Sequence, residues 1–246
     1  MKQHAKRFTY PKHVGLIMDG NGRWANKRGQ LRIDGHKKGA EALDNLTEST
    51  VRDYPEISHL TVFAFAIDNQ NRSLIERQAL QALFVEQTNR MLPKAIENNV
   101  RVSVVGDRED SFLSPEVKRA IATIEKGTQA CDGLRLIIAW NYSGSNEIER
   151  AQLAGWSITR LYNCMLDAPD VPKMDVVIRT GVDNPVGQPW RDSDFFPLLS
   201  AKAVKVPEQV YFPEFQARMH LEHAINCWRK EAKLDGGQRQ VSGRGG

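Results

Sequence analysis

The sequence predicts an α/β fold, a mostly parallel β-sheet with helices packed on it. Short apolar, β-branched runs recur along the chain, and segments with helical apolar spacing separate most of them. The chain has 246 residues, 41% of them hydrophobic, which is enough for one large α/β domain or two small ones. The strand candidates, in order, are residues 14–18, 60–67, 100–105, 134–140, 175–179 and a short run at 209–212. Between the second and third, Leu80, Leu83, Phe84, Met91 and Ala95 fall at near-helical spacing, with Pro93 as an expected kink. Ser114-Pro115-Glu116 reads as an N-cap followed by proline at the first helical position, and Val117, Ala120, Ile121 and Ile124 form that helix's apolar face. The Gly-, Gln- and Arg-rich stretch 235–246 is expected to be a mobile tail behind a domain at 13–234, with 1–12 as an N-terminal segment.

The densest chemistry follows the first strand. Residues 14–18 run directly into Asp19-Gly20-Asn21-Gly22-Arg23, an acid, an amide and a guanidinium inside five residues. Gly20 and Gly22 lack a Cβ, so the backbone can approach a ligand closely. Arg23-Trp24-Ala25 can open a helix, whose free N–H groups attract phosphate. Asp19 at the carboxyl end of a strand is where a Mg²⁺ ligand sits in an open α/β sheet. Arg179 ends another apolar strand, a placement that reads as functional.

Composition narrows the partners. Net charge is +4, from 34 basic and 30 acidic residues, which suits anionic ligands without demanding nucleic acid. No basic tract carries the interleaved aromatics of single-strand binding, and there is neither a P-loop nor a strand-linked G-x-G-x-x-G with a downstream acid. Cys131, Cys164 and Cys227 are scattered and odd in number, which fits a reducing cytoplasm better than a disulfide framework or zinc site. Met1–Tyr10 is basic without an apolar core, so no secretory signal is expected. No apolar run approaches the ~18 residues of a membrane span.

The wording MDGNGRWA at 18–25 resembles the signature of the cis-prenyltransferases, the undecaprenyl diphosphate synthase family. The resemblance continues through Arg32, Gly35-His36-Lys37, Asn69-Gln70-Asn71-Arg72, Asn141-Tyr142 and Arg179-Thr180-Gly181, covering roughly residues 10–230. It implies a single domain with a six-stranded parallel sheet, helices around an apolar tunnel and a homodimer. It also implies isoprenoid diphosphate substrates and Mg²⁺ as cofactor. Carried over residue by residue, Asp19 handles Mg²⁺, while Gly20, Asn21, Gly22 and Arg23 hold the allylic diphosphate with Arg32 and His36. Arg179, Arg191 and Ser193 grip the diphosphate of the second substrate. Asn69 is tied to the proton-loss step, and Arg72 lies in the same covering loop. Phe65 would touch the prenyl chain or be an ordinary core aromatic. Trp140, where many members have a small residue, would limit chain length or be plain core.

Five features depart from the family pattern. The F-S-x-E-N-W-N-R-P segment reads Phe65-Ala66-Ile67-Asp68-Asn69-Gln70-Asn71-Arg72-Ser73, and N-Y-G-G-R reads Asn141-Tyr142-Ser143-Gly144-Ser145. The stretch from there to Asp175 is shorter than in polyprenyl synthases, and residues 182–189 replace a shorter turn. The family's metal-contacting glutamate, which comes from a partner subunit, is matched only by Glu208 with a register slip. These changes gather on the second-substrate side, which suggests an acceptor held differently. The reading is a short-chain enzyme that couples dimethylallyl diphosphate with a second dimethylallyl or geranyl diphosphate, head-to-middle, as in the lavandulyl-type branch. Ordinary head-to-tail coupling to isopentenyl diphosphate is the nearest alternative. A non-catalytic partner subunit would be expected to lose the aspartate loop, which is complete here. A generic nucleotide-binding protein ranks last.

Overall fold

The computed structural model describes residues 10–183 and 189–241. Six strands form one sheet: β1 His13–Ile17, β2 His59–Ala66, β3 Arg101–Val105, β4 Arg135–Tyr142, β5 Val176–Arg179 and β6 Val204–Pro207. Their order is β3-β4-β2-β1-β5-β6, and every neighbouring pair is parallel. All five residues of β1 are buried, as a central strand covered on both faces requires.

Alternation along the strands divides the core between the two faces. Leu136 and Ile138 of β4 point to one side with Val14, Leu16, Leu60, Val62, Val102 and Val104. Against them pack α2 (Arg32–Asp53) through Ala42, Leu43 and Leu46, and α3 (Leu74–Glu97) through Leu80, Phe84 and Met91. The same face takes Val117 and Ile121 of α4 (Pro115–Gly127), and Ala224 and Ile225 of α7 (Glu222–Val241). Ile137 and Ala139 point the other way, where Met165, Met174, Phe195, Phe196 and Leu199 close the sheet mostly with turns and loops. Helices α5 (Gly144–Leu153) and α6 (Ile158–Leu161) lie in that second half of the chain. The short α1 (Asn21–Asn26) lies on α2 at glycine positions: a Cβ on Gly35 would come within 2.0 Å of the Asn21 carbonyl oxygen.

Ser114 caps α4 by accepting the Val117 N–H at 3.3 Å, as its sequence predicts. One expectation fails. The last strand is Val204–Pro207 and not 209–212, because Val204 to Pro207 pair with Val176 to Arg179 of β5. Residues 209–212 instead fold back under the Asp19 loop, where Val210 O accepts from Gly181 N at 2.7 Å and Phe212 N donates to Asp19 O at 3.1 Å. Helix α7 extends to Val241, into the stretch expected as a tail, and 242–246 lie outside the described residues. Helix α3 runs on through Pro93 to Glu97. Among the described residues no helix is long and apolar enough to cross a membrane.

Candidate active site

From β1 the chain leaves for β2 on one side and pairs with β5 on the other, so the carboxyl ends of β1 and β5 border the crevice where an open sheet binds ligands. Asp19 follows β1 by two residues and Arg179 is the last residue of β5. Asp19 Oδ2 meets Arg179 Nη2 at 3.1 Å, and Asp19 Oδ1 meets Arg23 Nη2 at 3.2 Å. The backbone is fixed by Thr180, whose hydroxyl accepts from Asp19 N at 2.9 Å and donates to Asp19 O at 2.8 Å. Gly20 then takes φ +97°, and a Cβ there would also lie 2.5 Å from the Tyr211 ring. The turn therefore needs glycine for its backbone and for its neighbour.

Two polar cavities share Asp19, Arg23 and Arg179. The first, about 430 Å³, is lined by the whole 17–23 segment with Arg32, His36, Asp68, Asn69, Arg72 and Ser193. It contains most of the residues assigned from sequence to the allylic diphosphate. Arg72 Nη2 donates to Asn69 Oδ1 at 3.0 Å, and Arg72 Nη1 donates to Glu76 Oε1 at 2.8 Å. Arg32 Nε reaches the same Glu76 oxygen at 3.3 Å. Glu76 thus aims both arginines, a role the sequence reading missed. Its signals were present: it lies four residues after Arg72, and three after the cap Ser73. Arg72 Nη1 also donates to His36 Nε2 at 3.4 Å, and burial, with Arg72 and Arg32 beside it, lowers the His36 pKa to about 4. His36 is therefore neutral at pH 7, with its proton on Nδ1.

The second cavity, about 550 Å³, adds Gly181, Asp183, Trp190, Arg191, Lys205 and Pro207. Arg179 Nη1 donates to Ser193 Oγ at 3.0 Å and to the Arg191 carbonyl, so the three residues assigned to the second diphosphate are joined. They do not face one space, because Arg191 opens on this cavity and Ser193 on the first. Ser193 and Asp194 hold φ of 53° and 63°, a strained pair of the kind found where a side chain must be aimed. Asp183, 70% exposed, pairs with Arg23 at 2.7 Å, and the Tyr211 ring lies 5.3 Å from the Arg23 guanidinium. Asp183, Lys205 and Tyr211 were not foreseen, since only the fold brings them to β1. Of the 182–189 stretch, 184–188 lie outside the described residues, as do residues 242–246 of the expected tail.

An apolar pocket of about 100 Å³ opens beside the first cavity, lined by Met18, Ala64, Leu80, Leu83, Phe84, Met91 and Trp140. Trp140 is buried, its ring 4.2 Å from that of Phe84 and 4.9 Å from that of Phe65. Phe65 also borders the polar cavity and stacks on Phe112 at 5.2 Å, so it is a core aromatic with one edge on the site. Gln70, in place of the family's tryptophan, donates at 2.7 Å to both Asp110 Oδ2 and Asn141 Oδ1, pinning the 3₁₀ turn Ile67–Asn71 to the end of β4. Glu208 is elsewhere: His223 Nδ1 is bonded to its Oε1 at 2.7 Å, and it lines neither polar cavity. Among the described residues no three His, Cys, Asp or Glu side chains converge to hold a metal.

Known proteins bear on this arrangement. Residues 17–236 match the family described as "Putative undecaprenyl diphosphate synthase". An isoprenyl transferase of Thermotoga maritima is 33% identical over 237 residues, covering 92% of this chain and 97% of its own. A ditrans,polycis-undecaprenyl-diphosphate synthase of Photorhabdus laumondii is 33% identical over 241 residues, covering 92% and 90%. The crystal structure of lavandulyl diphosphate synthase from Lavandula x intermedia in complex with dimethylallyl diphosphate shares the fold, with a TM-score of 0.75 at 22% identity over 89% of this chain and 95% of that one. With the family match running from β1 into α7, the chain belongs to the undecaprenyl diphosphate synthase family of cis-prenyltransferases and is a prenyltransferase.

Proposed function

We propose that this prenyltransferase ionises one short allylic diphosphate and couples it, head-to-middle, to a second, dimethylallyl or geranyl diphosphate, giving a branched lavandulyl-type product. The observation that carries the reading is one junction, Asp19 with Arg23 and Arg179, shared by two polar cavities and served by an apolar pocket of only about 100 Å³. An engineered protein cavity of about 150 Å³ holds one benzene, so a pocket of this size suits a five-carbon tail and not a growing polyprenyl chain.

The residues present fit Mg²⁺. This ion is commonly held by one or two carboxylates, substrate phosphates and water. Asp19 offers one carboxylate, 39% exposed, facing both cavities. Bound there, Mg²⁺ would neutralise charge developing on the departing diphosphate. Arg23, Arg32 and Arg72 hold that diphosphate in the first cavity, oriented by Glu76 and Asp183. Neutral His36 donates through Nδ1 without adding charge. Arg179, steered by Ser193, and Arg191 hold the second diphosphate so that its double bond meets the cation. Asn69, clamped by Arg72, stands at the proton-loss step. The apolar wall of Phe65, Leu80 and Trp140 keeps water from the cation.

The working unit in this reading is a cytoplasmic homodimer. Glu208 would serve a partner's ion only by leaving His223. Support for head-to-middle coupling comes from the small apolar pocket and from a structural neighbour bound to dimethylallyl diphosphate, whereas the altered loop at 67–73 lines the first cavity and not the second, so it does not bear on the acceptor. Head-to-tail coupling to isopentenyl diphosphate is the second reading, favoured by relatives named undecaprenyl diphosphate synthases. The two are separated by incubating the protein and Mg²⁺ with dimethylallyl, geranyl and isopentenyl diphosphates, singly and in pairs, and identifying products. Branched products from the allylic substrates alone are expected. Turnover that requires isopentenyl diphosphate would overturn the proposal.

A further inference from the structure

We propose that Lys205 is a third cationic contact, beside Arg179 and Arg191, for the diphosphate of the second substrate, an assignment that rests on the reading of the second cavity given above. Lys205 lies on the edge strand β6, opposite Val177 of β5. Val204 and Val206 belong with the helix-covered core, so strand alternation turns Lys205 to the other face, toward Trp190 and the cavity. Its ammonium is 5.6 Å from the Trp190 ring and donates to Ser200 O at 2.6 Å.

The charge balance of the cavity sets this lysine, with Arg191, apart from the cations that are already paired. Arg179 is paired with Asp19, and Arg23 with Asp19 and Asp183. Lys205 forms no ion pair among the described residues. Asp192 acts on it only as a more distant charge, and burial lowers its pKa. A half-buried ammonium without a counter-anion is costly. An anion entering the cavity between Arg191, Arg179 and Lys205 removes that cost. One of the three ammonium donors can stay on Ser200 while the others turn to phosphate oxygens. A point charge on a flexible stem also tolerates a diphosphate placed differently from the one a rigid guanidinium fork selects.

The test is calorimetric titration of inorganic diphosphate into the full-length wild type, K205M and K205R, with KM and kcat for each substrate. Loss of a charge-assisted hydrogen bond predicts that K205M weakens one diphosphate binding event about tenfold and raises the acceptor KM by a similar factor, with kcat and the donor KM little changed. K205R, which keeps the charge, should stay within about threefold of wild type. Wild-type affinity in K205M overturns the proposal, and so does equal loss in K205M and K205R, which would mark a purely structural lysine. No branched product from the wild type, together with weakened diphosphate binding in K205M, would sink the coupling chemistry and leave this contact standing.

Discussion

Among single residues, burial decides protonation. His13 is fully enclosed in β1, with Nδ1 donating to the Pro172 carbonyl at 2.7 Å and Nε2 accepting from Thr61 Oγ1 at 2.7 Å. Its pKa falls to about 3, chiefly by desolvation, while that of His36 falls to about 4. The unfolded chain takes up these protons near pH 6.5 and the folded chain only at much lower pH. The contribution of these two histidines to stability is therefore fully present above about 6.5 and is lost as pH falls toward 4, at about 1.4 kcal/mol per pH unit for each histidine. Urea unfolding between pH 7 and 4.5 should show this slope, shallower in H13N. Equal slopes would refute the assignment. Trp140 sets a different property. Its indole Nε1 is buried without a partner among the described residues, so shortening it loses no hydrogen bond. W140L should enlarge the apolar pocket and lengthen the product by about one five-carbon unit, at roughly 1–3 kcal/mol of stability. An unchanged product by mass spectrometry would return Trp140 to the ordinary core.

Among elements, the turn Ile67–Asn71 positions chemistry it does not itself perform. Gln70 ties it to Asp110 and Asn141, Ser73 caps the helix that follows, and Arg72 between them clamps Asn69. Q70A removes two hydrogen bonds, one to a carboxylate, and frees the cover of the first cavity. It should lower kcat/KM about tenfold and also lower Tm by several degrees, since each such bond contributes about 1–2 kcal/mol. Wild-type kinetics in Q70A would show that the turn is held by packing instead. Five strands and the start of α4 were readable because apolar periodicity and capping are local signals. The sixth strand was not. Val204 to Pro207 carries a lysine and a proline and is a strand only because β5 lies beside it. Residues 209–212 have the more strand-like composition, yet they are drawn under Asp19 by hydrogen bonds from Gly181 and Phe212.

At the scale of the whole molecule, parallel strands deliver β1 and β5 to one edge with their carboxyl ends together, and the arginines meet there. Uncompensated cations in that crevice imply strong linkage between ligand and fold. Mg²⁺ with inorganic diphosphate at about 100 times Kd adds about 2.7 kcal/mol, which for a chain of this size raises Tm by about 5–10 °C. Chelation by EDTA should remove part of that shift and abolish turnover. A Tm indifferent to diphosphate would argue against the crevice as its site.

By itself the sequence determined the α/β class, the family, and the residues of the first cavity, because a strand ending in Asp19-Gly20-Asn21-Gly22-Arg23 keeps its chemistry within a few positions. Only the tertiary structure decided which residues orient and complete the site. Glu76 aims Arg32 and Arg72, Asp183 holds Arg23, and Lys205 joins Arg191 across the second cavity, while Glu208 turns to His223. These partners come from α3 and from the segments around β5 and β6, far apart in the chain. Ion pairs and cavities depend on distance in space, and a parallel sheet brings together strand ends that sequence order separates.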